Sequence, residues 1–439
     1  MKTVAFHTLG CKVNQYESQG LAEMFARRGY RVVPFDAGAD VYVINTCTVT
    51  HIGDRKSRQL IRRAKRANPD SIVVVTGCYA QVAPDEVGAI EGVDLVIGLG
   101  GRANLVDLVE QAAGEGKTVC TVNDIEKVTC FEELPISGAE RRTRAFVKVQ
   151  EGCRDFCTYC IIPYARGPLR SRDPDRVRDE VRTLVDKGHR EIVLTGTHLG
   201  LYGHGLDGDW DLAALVRYVV KVPGLWRLRL SSVEPTDITG ELLEIIASEP
   251  ACCPHLHIPL QSGDDEVLRR MGRRYDTSFY AGLLDKARAL IPDLAVTTDI
   301  MVGFPGESRD QFERSLHFVR QMGFSRLHVF KYSPRRGTPA ARYPGQVPAR
   351  EKDRRSKEML ALGEELQHRF ASRYVGRTMD VLVEQEYDRE HYEGYTGNYL
   401  RVILPKDSLH IGDLAKVFIK TVEKGYLRGI IYTKEGFPD

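Results

Sequence analysis

Three cysteines crowd one short stretch, GCRDFCTYCIIP at 152–163, where Cys153, Cys157 and Cys160 follow a C-x3-C-x2-C spacing. Three thiolates on one loop suit three irons of a [4Fe–4S] cluster, leaving a fourth iron open to a small molecule. A structural zinc site normally takes four protein ligands. No paired Cys-x2-Cys elsewhere completes one, although His198 or His257 could in principle do so. An inert trio is the remaining alternative. A second set, Cys11, Cys47 and Cys78, is dispersed in TLGCKVNQYES, VINTCTV and VTGCYAQ. Each follows a strand-like run. One such cysteine means little, since free cysteine is commonly buried; three at the same end of successive strands point to a second metal site. Cys120, Cys130, Cys252 and Cys253 read as structural or incidental, the last two being adjacent and poorly placed to chelate one ion.

The elements that would position these thiols are legible as patterns. Short β-branched runs at 3–10, 41–46, 71–77 and 94–99 alternate with helical segments such as 55–67 and 104–113, which predicts a parallel sheet with crossover helices. Ligands of open α/β sheets gather outside the carboxyl ends of the strands, so Cys11, Cys47 and Cys78 can meet there. Residues 116–140 read as a linker. Six further strand-like runs, at 145–152, 191–197, 227–233, 255–260, 295–303 and 326–332, leave room for a helix after each. They predict a partial, open relative of the β/α barrel, with chemistry at the strand carboxyl ends. A charged helix over 351–374 carries Met359, Leu362, Leu366 and Phe370 on one stripe. Alternating runs at 378–385, 398–405 and 414–422, followed by 426–432, predict a small antiparallel barrel. The fold class is therefore α/β, divided as 1–115, a linker at 116–140, 141–374 and 375–439.

Composition narrows the function classes. The 439 residues include 62 basic and 60 acidic ones, a net charge of +2, so nucleic-acid binding must come from local patches. RKSRQLIRRAKR (55–66), RRTR (141–144), ARGPLRSR (165–172) and KYSPRR (331–336) are such patches; a solvated helix face is the plainer reading of the first. Tyr392, Tyr395 and Tyr399 near Arg401 could stack on exposed bases or fill the terminal barrel's core. The first twenty residues hold no signal-peptide core, and no apolar run approaches the ~20 residues a membrane helix needs. A cytoplasmic protein without a membrane partner is expected.

The C-x3-C-x2-C loop with Tyr159 before its last cysteine resembles the radical S-adenosylmethionine (SAM) enzymes. That resemblance implies an open iron binding the amino and carboxylate groups of SAM, and cleavage to a 5′-deoxyadenosyl radical. It makes Tyr159, beside adenine, and Glu234 and Gln261, at strand ends in SSVEP (231–235) and HIPLQSG (257–263), candidate SAM contacts. The plainer reading of these last segments, with their Ser232 and Ser262, is turn chemistry. The N-terminal motifs extend the likeness over nearly the whole chain to the methylthiotransferases, a radical SAM subgroup with an N-terminal cluster domain and a C-terminal TRAM domain. This implies that Cys11, Cys47 and Cys78 hold an auxiliary [4Fe–4S] cluster carrying the sulfur to be delivered, and that all six cysteines are metal-binding and catalytic. FHTLGCKVNQYES, VYVINTCTVTHIGDRKSRQ, RTRAFVKVQEGC and CIIPYARG look like the group acting on N6-threonylcarbamoyladenosine at tRNA position 37. Sister groups act on isopentenyladenosine at that position or on a ribosomal-protein aspartate; the latter tends to carry a proline after its first cysteine, which CKVN lacks. The implied reaction is methylthiolation at C2 of a base drawn out of the anticodon loop, with an electron donor and a sulfur source that the sequence does not name. A non-catalytic, metal-containing RNA-binding module is the rival of a different class.

Overall fold

The computed structural model describes residues 1–48, 51–112, 118–136, 138, 143–407 and 409–432. Arg141 and Arg142 of the RRTR patch lie outside them, as do parts of the expected linker.

The first sheet is parallel, in the order β2-β1-β3-β4-β5-β6. Its strands are β1 (Thr3–Thr8), β2 (Arg31–Val33), β3 (Val41–Thr46), β4 (Ile72–Gly77), β5 (Leu95–Ile97) and β6 (Val119–Thr121). VYVINT and IVVVTG are nearly continuous apolar runs because helices cover both faces of these central strands. Tyr42, Ile44, Val73 and Val75 pack on Ile61 on one face; Val43 and Val74 pack toward Leu21 and Phe25 on the other. β6 arises inside the segment expected as a linker and pairs with β5.

The second unit carries β7 (Arg144–Glu151), β8 (Arg170–Ser171), β9 (Glu191–Gly196), β10 (Arg227–Leu230), β11 (His255–His257), β12 (Ala295–Val302) and β13 (Arg326–Lys331). Two sheets form, β10-β9-β7-β8 and β11-β12-β13. Isolated parallel bridges Leu228↔Cys252 and Ser232↔His257 carry the arc from one to the other. The six parallel strands thus make the expected open barrel, with β8 added antiparallel to β7. The helix Ala349–Ser372 closes its outer side, burying the predicted stripe of Met359, Leu362, Leu366 and Phe370. Gly363 permits this contact: a Cβ there would stand 3.3 Å from the Leu327 side chain.

The last unit is a closed barrel, β14-β15-β16-β18-β17. Its strands are β14 (Thr378–Glu386), β15 (His391–Thr396), β16 (Arg401–Pro405), β17 (Leu414–Glu423) and β18 (Tyr426–Ile431). β15, HYEGYT, escapes sequence reading because its glycine and glutamate break the alternation. This barrel docks on the amino ends of the larger barrel's strands. Arg227 donates to the carbonyls of Tyr395 and Asp380, both at 2.8 Å, and Arg229 to that of Gly397 at 3.0 Å. Of the three tyrosines read as base-stacking or core-filling, Tyr395 and Tyr399 lie at this joint. Arg144 lies 5.4 and 5.0 Å from the rings of Tyr395 and Tyr399, and Arg229 lies 4.4 Å from Tyr399. Tyr392 packs against the small barrel's own core.

Candidate active site

Cys11, Cys47 and Cys78 stand directly beyond β1, β3 and β4, neighbours in one parallel sheet. Cys11 precedes the helix Lys12–Arg27 and Cys78 opens the helix Cys78–Val82. The turns need glycine. A Cβ on Gly10, at φ +106°, would lie 3.2 Å from the Cys47 sulfur, and one on Gly77, at φ +94°, would lie 2.4 Å from the Thr46 carbonyl. Asn14 clamps two of the loops, donating to the carbonyls of Leu9 at 2.8 Å and Thr46 at 3.1 Å. The thiols grade from exposed Cys11 through half-buried Cys47 to buried Cys78, so one side of the trio is open. Burial pushes the Cys78 thiol up to about 12; Arg166 opposes the rise, and the nearby Cys47 and Cys11 thiols reinforce it. A metal removes that penalty by taking the thiolate as ligand.

The second trio sits on the loop beyond β7. Gly152, at φ +85°, begins it, and a Cβ there would come within 1.8 Å of the Pro168 carbonyl oxygen. Backbone bonds fix the loop: Cys160 N–H to the Cys157 carbonyl at 2.9 Å, Thr158 N–H to Met271 at 2.9 Å, and Cys153 N–H to Gly167 at 3.2 Å. Arg273 donates to the Cys157 sulfur at 3.3 Å. Burial raises the Cys160 thiol, and the neighbouring Cys157 and Cys153 thiols add to it. Three mutually interacting thiols, beside a guanidinium that offsets their charge, fit an iron–sulfur cluster bound by three cysteines.

The zinc alternatives fare differently. Cys153, Asp155 and His198 have ligand atoms within 4.8 Å of one another. His198, however, gives its Nε2 to Asp237 at 2.7 Å. Its Nδ1 faces the Cys153 sulfur at 3.5 Å, but the group it forms there takes in Asp155 and not Cys157 or Cys160, so His198 does not complete a four-ligand site with the three cysteines. His257 lies elsewhere, with Nδ1 2.9 Å from the Thr297 hydroxyl.

Of the candidate SAM contacts, Tyr159 is half-buried, and its hydroxyl lies 3.5 Å from Arg273. Glu234 pairs with the same Arg273. Burial raises the Glu234 carboxyl, with Arg273 and His198 opposing. Gln261 adopts φ +68°, a backbone region that is strained for a non-glycine residue, and bridges to Ile300. Tyr159, Glu234 and the Cys157 thiol therefore share one guanidinium; Gln261 stands at the end of the neighbouring strand.

The two trios are joined by an ion network that sequence reading missed. Glu17, fully buried, accepts from Arg166 at 2.6 Å and lies 3.0 Å from Arg102 and 3.2 Å from Lys148. Arg166 also reaches Glu151 at 2.7 Å and the Asn14 side-chain oxygen at 2.6 Å. Burial disfavours its charge, yet Glu17, Cys78, Glu151 and Cys11 hold it well above its ordinary value. The patch 165–172 is thus not the RNA surface its charge suggested: Arg166, Arg170 and Arg172 are 2%, 3% and 5% exposed. A cleft of about 1170 Å³ opens beside the Cys47 and Cys160 loops, lined by Arg55, Arg58, Tyr79, Tyr164, Arg335 and Arg336 among others.

Comparison with known proteins agrees with this arrangement. Residues 3–98 match the Uncharacterized protein family UPF0004, 147–319 the Radical SAM superfamily and 372–432 the TRAM domain. A protein of Bacillus subtilis, Threonylcarbamoyladenosine tRNA methylthiotransferase MtaB, is 46% identical over 97% of this chain and 95% of its own length. The chain belongs to the radical SAM methylthiotransferases. A Thermotoga maritima methylthiotransferase of the same name is 40% identical, over 91% of each chain. A relative from Desulfitobacterium hafniense, a tRNA-2-methylthio-N(6)-dimethylallyladenosine synthase, is 33% identical over 98% of this chain and 97% of its own. Among solved structures, the radical SAM methyltransferase TsrM of Kitasatospora setae superposes with a TM-score of 0.58 at 16% identity, over 78% of this chain and 75% of that one, a likeness of fold. The cofactors of this methylthiotransferase are SAM and [4Fe–4S] clusters. No helix among the described residues is long and apolar enough to cross a membrane.

Proposed function

We infer that this methylthiotransferase is a cytoplasmic enzyme that methylthiolates C2 of N6-threonylcarbamoyladenosine at position 37 of tRNA. The observation that carries the reading is the pairing of two three-thiol loops across one buried seam, in a chain 46% identical to a protein of that activity. Cys153, Cys157 and Cys160 would hold the SAM-binding cluster, and Cys11, Cys47 and Cys78 the auxiliary one. Together these groups supply radical chemistry and the sulfur to be transferred. The chain's own residues position and shield. Arg273 offsets negative charge at Cys157 and orients Glu234, while Tyr159, on the cysteine loop itself, packs against the cluster of Met271 and Phe304. Glu17 and Arg166 fix the spacing between the two thiol sets. Exposed Arg55 and Arg336 at the cleft would meet RNA phosphates, and the base would leave the anticodon-loop stack to reach the thiols. The reading requires an electron donor and a source of sulfur. Mass spectrometry of tRNA nucleosides from cells with and without the gene tests it. Loss of the methylthio form of threonylcarbamoyladenosine alone is the expected result; loss of the methylthio isopentenyl form would move the substrate to the sister group.

A further inference from the structure

The interior of the larger barrel holds polar groups that neither thiol set uses. Leu327 packs outward under the helix Ala349–Ser372. Strand alternation therefore turns Arg326, His328 and Phe330 of β13 inward. Their register partners on β12 are Thr297, Asp299 and Met301. The two strands form layers. At the carboxyl end, nearest the cysteine loops, Phe330 is 47% exposed beside Met301. Below it, His257 Nε2 lies 3.4 Å from Asp299, which is 28% exposed, and 5.5 Å ring to ring from His328. Partly exposed side chains on an inward face mean that the barrel is not filled there.

Lys12 enters this space from the first domain. It directly follows Cys11 and opens the helix Lys12–Arg27. Its ammonium lies within electrostatic reach of Arg144 and Arg229 first, then of Cys11 behind it and of Asp299, His255 and His328 inside the barrel. It makes no hydrogen bond or ion pair with any described residue, unlike Lys148, Arg144 and Arg229, which are all paired. A half-buried ammonium that faces two guanidiniums and touches no carboxylate is costly unless a ligand supplies an anion.

The substrate inferred above has such an anion. Threonylcarbamoyl on N6 ends in a carboxylate and a hydroxyl, whereas an isopentenyl group is wholly apolar. C2 and C6, the carbon that bears N6, flank the same ring nitrogen, so a base presented with C2 at the Cys11 loop carries its N6 substituent past the residue next to Cys11. We propose that Lys12 is the specificity residue that receives the substrate's carboxylate, with Phe330 against the base and the His257–Asp299–His328 group beside the hydroxyl and carbamoyl. The assignment rests on the proposed substrate.

The test uses cluster-loaded enzyme and synthetic anticodon stem-loop RNAs carrying threonylcarbamoyladenosine either as the free acid or as its methyl ester. The parent enzyme should prefer acid over ester by roughly 10- to 100-fold in kcat/KM, the range of a charge-assisted hydrogen bond. Lys12→Gln should lower kcat/KM for the acid to the ester's level and leave the ester's value little changed; Lys12→Arg should keep part of the preference. Equal use of acid and ester by the parent enzyme would overturn the proposal. So would an equal loss on both RNAs in Lys12→Gln, which would place the lysine on an RNA phosphate or the auxiliary cluster. The parent comparison stands even where Lys12→Gln binds less iron. Should the parent cleave SAM yet methylthiolate neither RNA, the substrate reading itself fails, and this proposal with it.

Discussion

Arg166 donates from one guanidinium nitrogen to the Asn14 side-chain oxygen at 2.6 Å, so the residue six positions after Cys160 grips the one three positions after Cys11. The same guanidinium bonds Glu17 and Glu151, and both carboxylates are almost wholly buried. Removing one member of such a cluster strands the charges left behind. Arg166→Met should destabilise the chain by about 3–5 kcal/mol, read from denaturant unfolding under anaerobic conditions. Arg166→Lys should recover little, because an ammonium cannot bridge Asn14, Glu17 and Glu151 in fork geometry. A loss below about 1 kcal/mol, as for a surface ion pair, would show that the network does not hold the two units together.

The two thiol sets should separate by assay. Cys157→Ala should abolish 5′-deoxyadenosine formation as well as product. Cys47→Ala should retain 5′-deoxyadenosine formation but yield no methylthio nucleoside. Iron should fall from about eight to about four per chain in each variant if both sets bind [4Fe–4S] clusters. Full turnover by either variant would remove its trio from the mechanism.

What sequence reading reached follows from what local patterns encode. The cysteines could be placed at strand ends because β1, β3, β4 and β7 are strongly apolar runs, and loops after parallel strands share one edge. The Glu17–Arg166 contact spans 149 positions and two domains, so no local pattern reveals it. ARGPLRSR illustrates the cost: arginines usually mean surface, but here three face buried carboxylates. Tyr395 and Tyr399 misled similarly, since their partners Arg144 and Arg229 belong to another unit. β2, β6 and β8 are two or three residues long, too short for periodicity to register.

Glu17 and Glu151, the carboxylates on Arg166, set a pH window of their own, apart from Glu180, which burial raises to about 7. Burial works to raise Glu151, but Lys148 and Arg166 outweigh it and, with Arg170 assisting, hold it at about 2. A carboxyl depressed on folding contributes stability that is present above its unfolded value of about 4.3 and is lost as pH falls through the folded value. Unfolding free energy should therefore show no titration from this cluster between roughly pH 5 and 8 and should fall steeply below pH 4. In Glu151→Gln that acid slope should be shallower, whereas an unchanged slope would assign the acid sensitivity elsewhere.

Gly152 offers a test of the cluster loop's geometry. Its φ of +85° and the 1.8 Å approach of a Cβ to the Pro168 carbonyl leave no room for a side chain. Gly152→Ala should cost more than the ~1 kcal/mol of a left-handed alanine alone, because backbone must move. Iron retention is the direct readout: the loop Cys153–Cys160 should lose its cluster while the auxiliary trio keeps about four irons. Normal iron content and melting temperature would contradict the turn as described.

The RNA path should be traceable by salt. Arg55 and Arg336 are exposed and line the cleft beside the Cys47 and Cys160 loops, and neither forms an ion pair with a carboxylate among the described residues. Arg63, on the same helix as Arg55, is paired with Asp36. Each arginine–phosphate pair removed should reduce the slope of log affinity against log salt by about one, with little change in sequence preference. Arg55→Ala and Arg336→Ala should each show this in tRNA binding titrations between about 50 and 200 mM salt, and together their effects should add. Arg63→Ala should leave the slope unchanged, since that guanidinium is already neutralised. A slope that responds to Arg63 and ignores Arg55 and Arg336 would move the RNA from the cleft to the outer helix face.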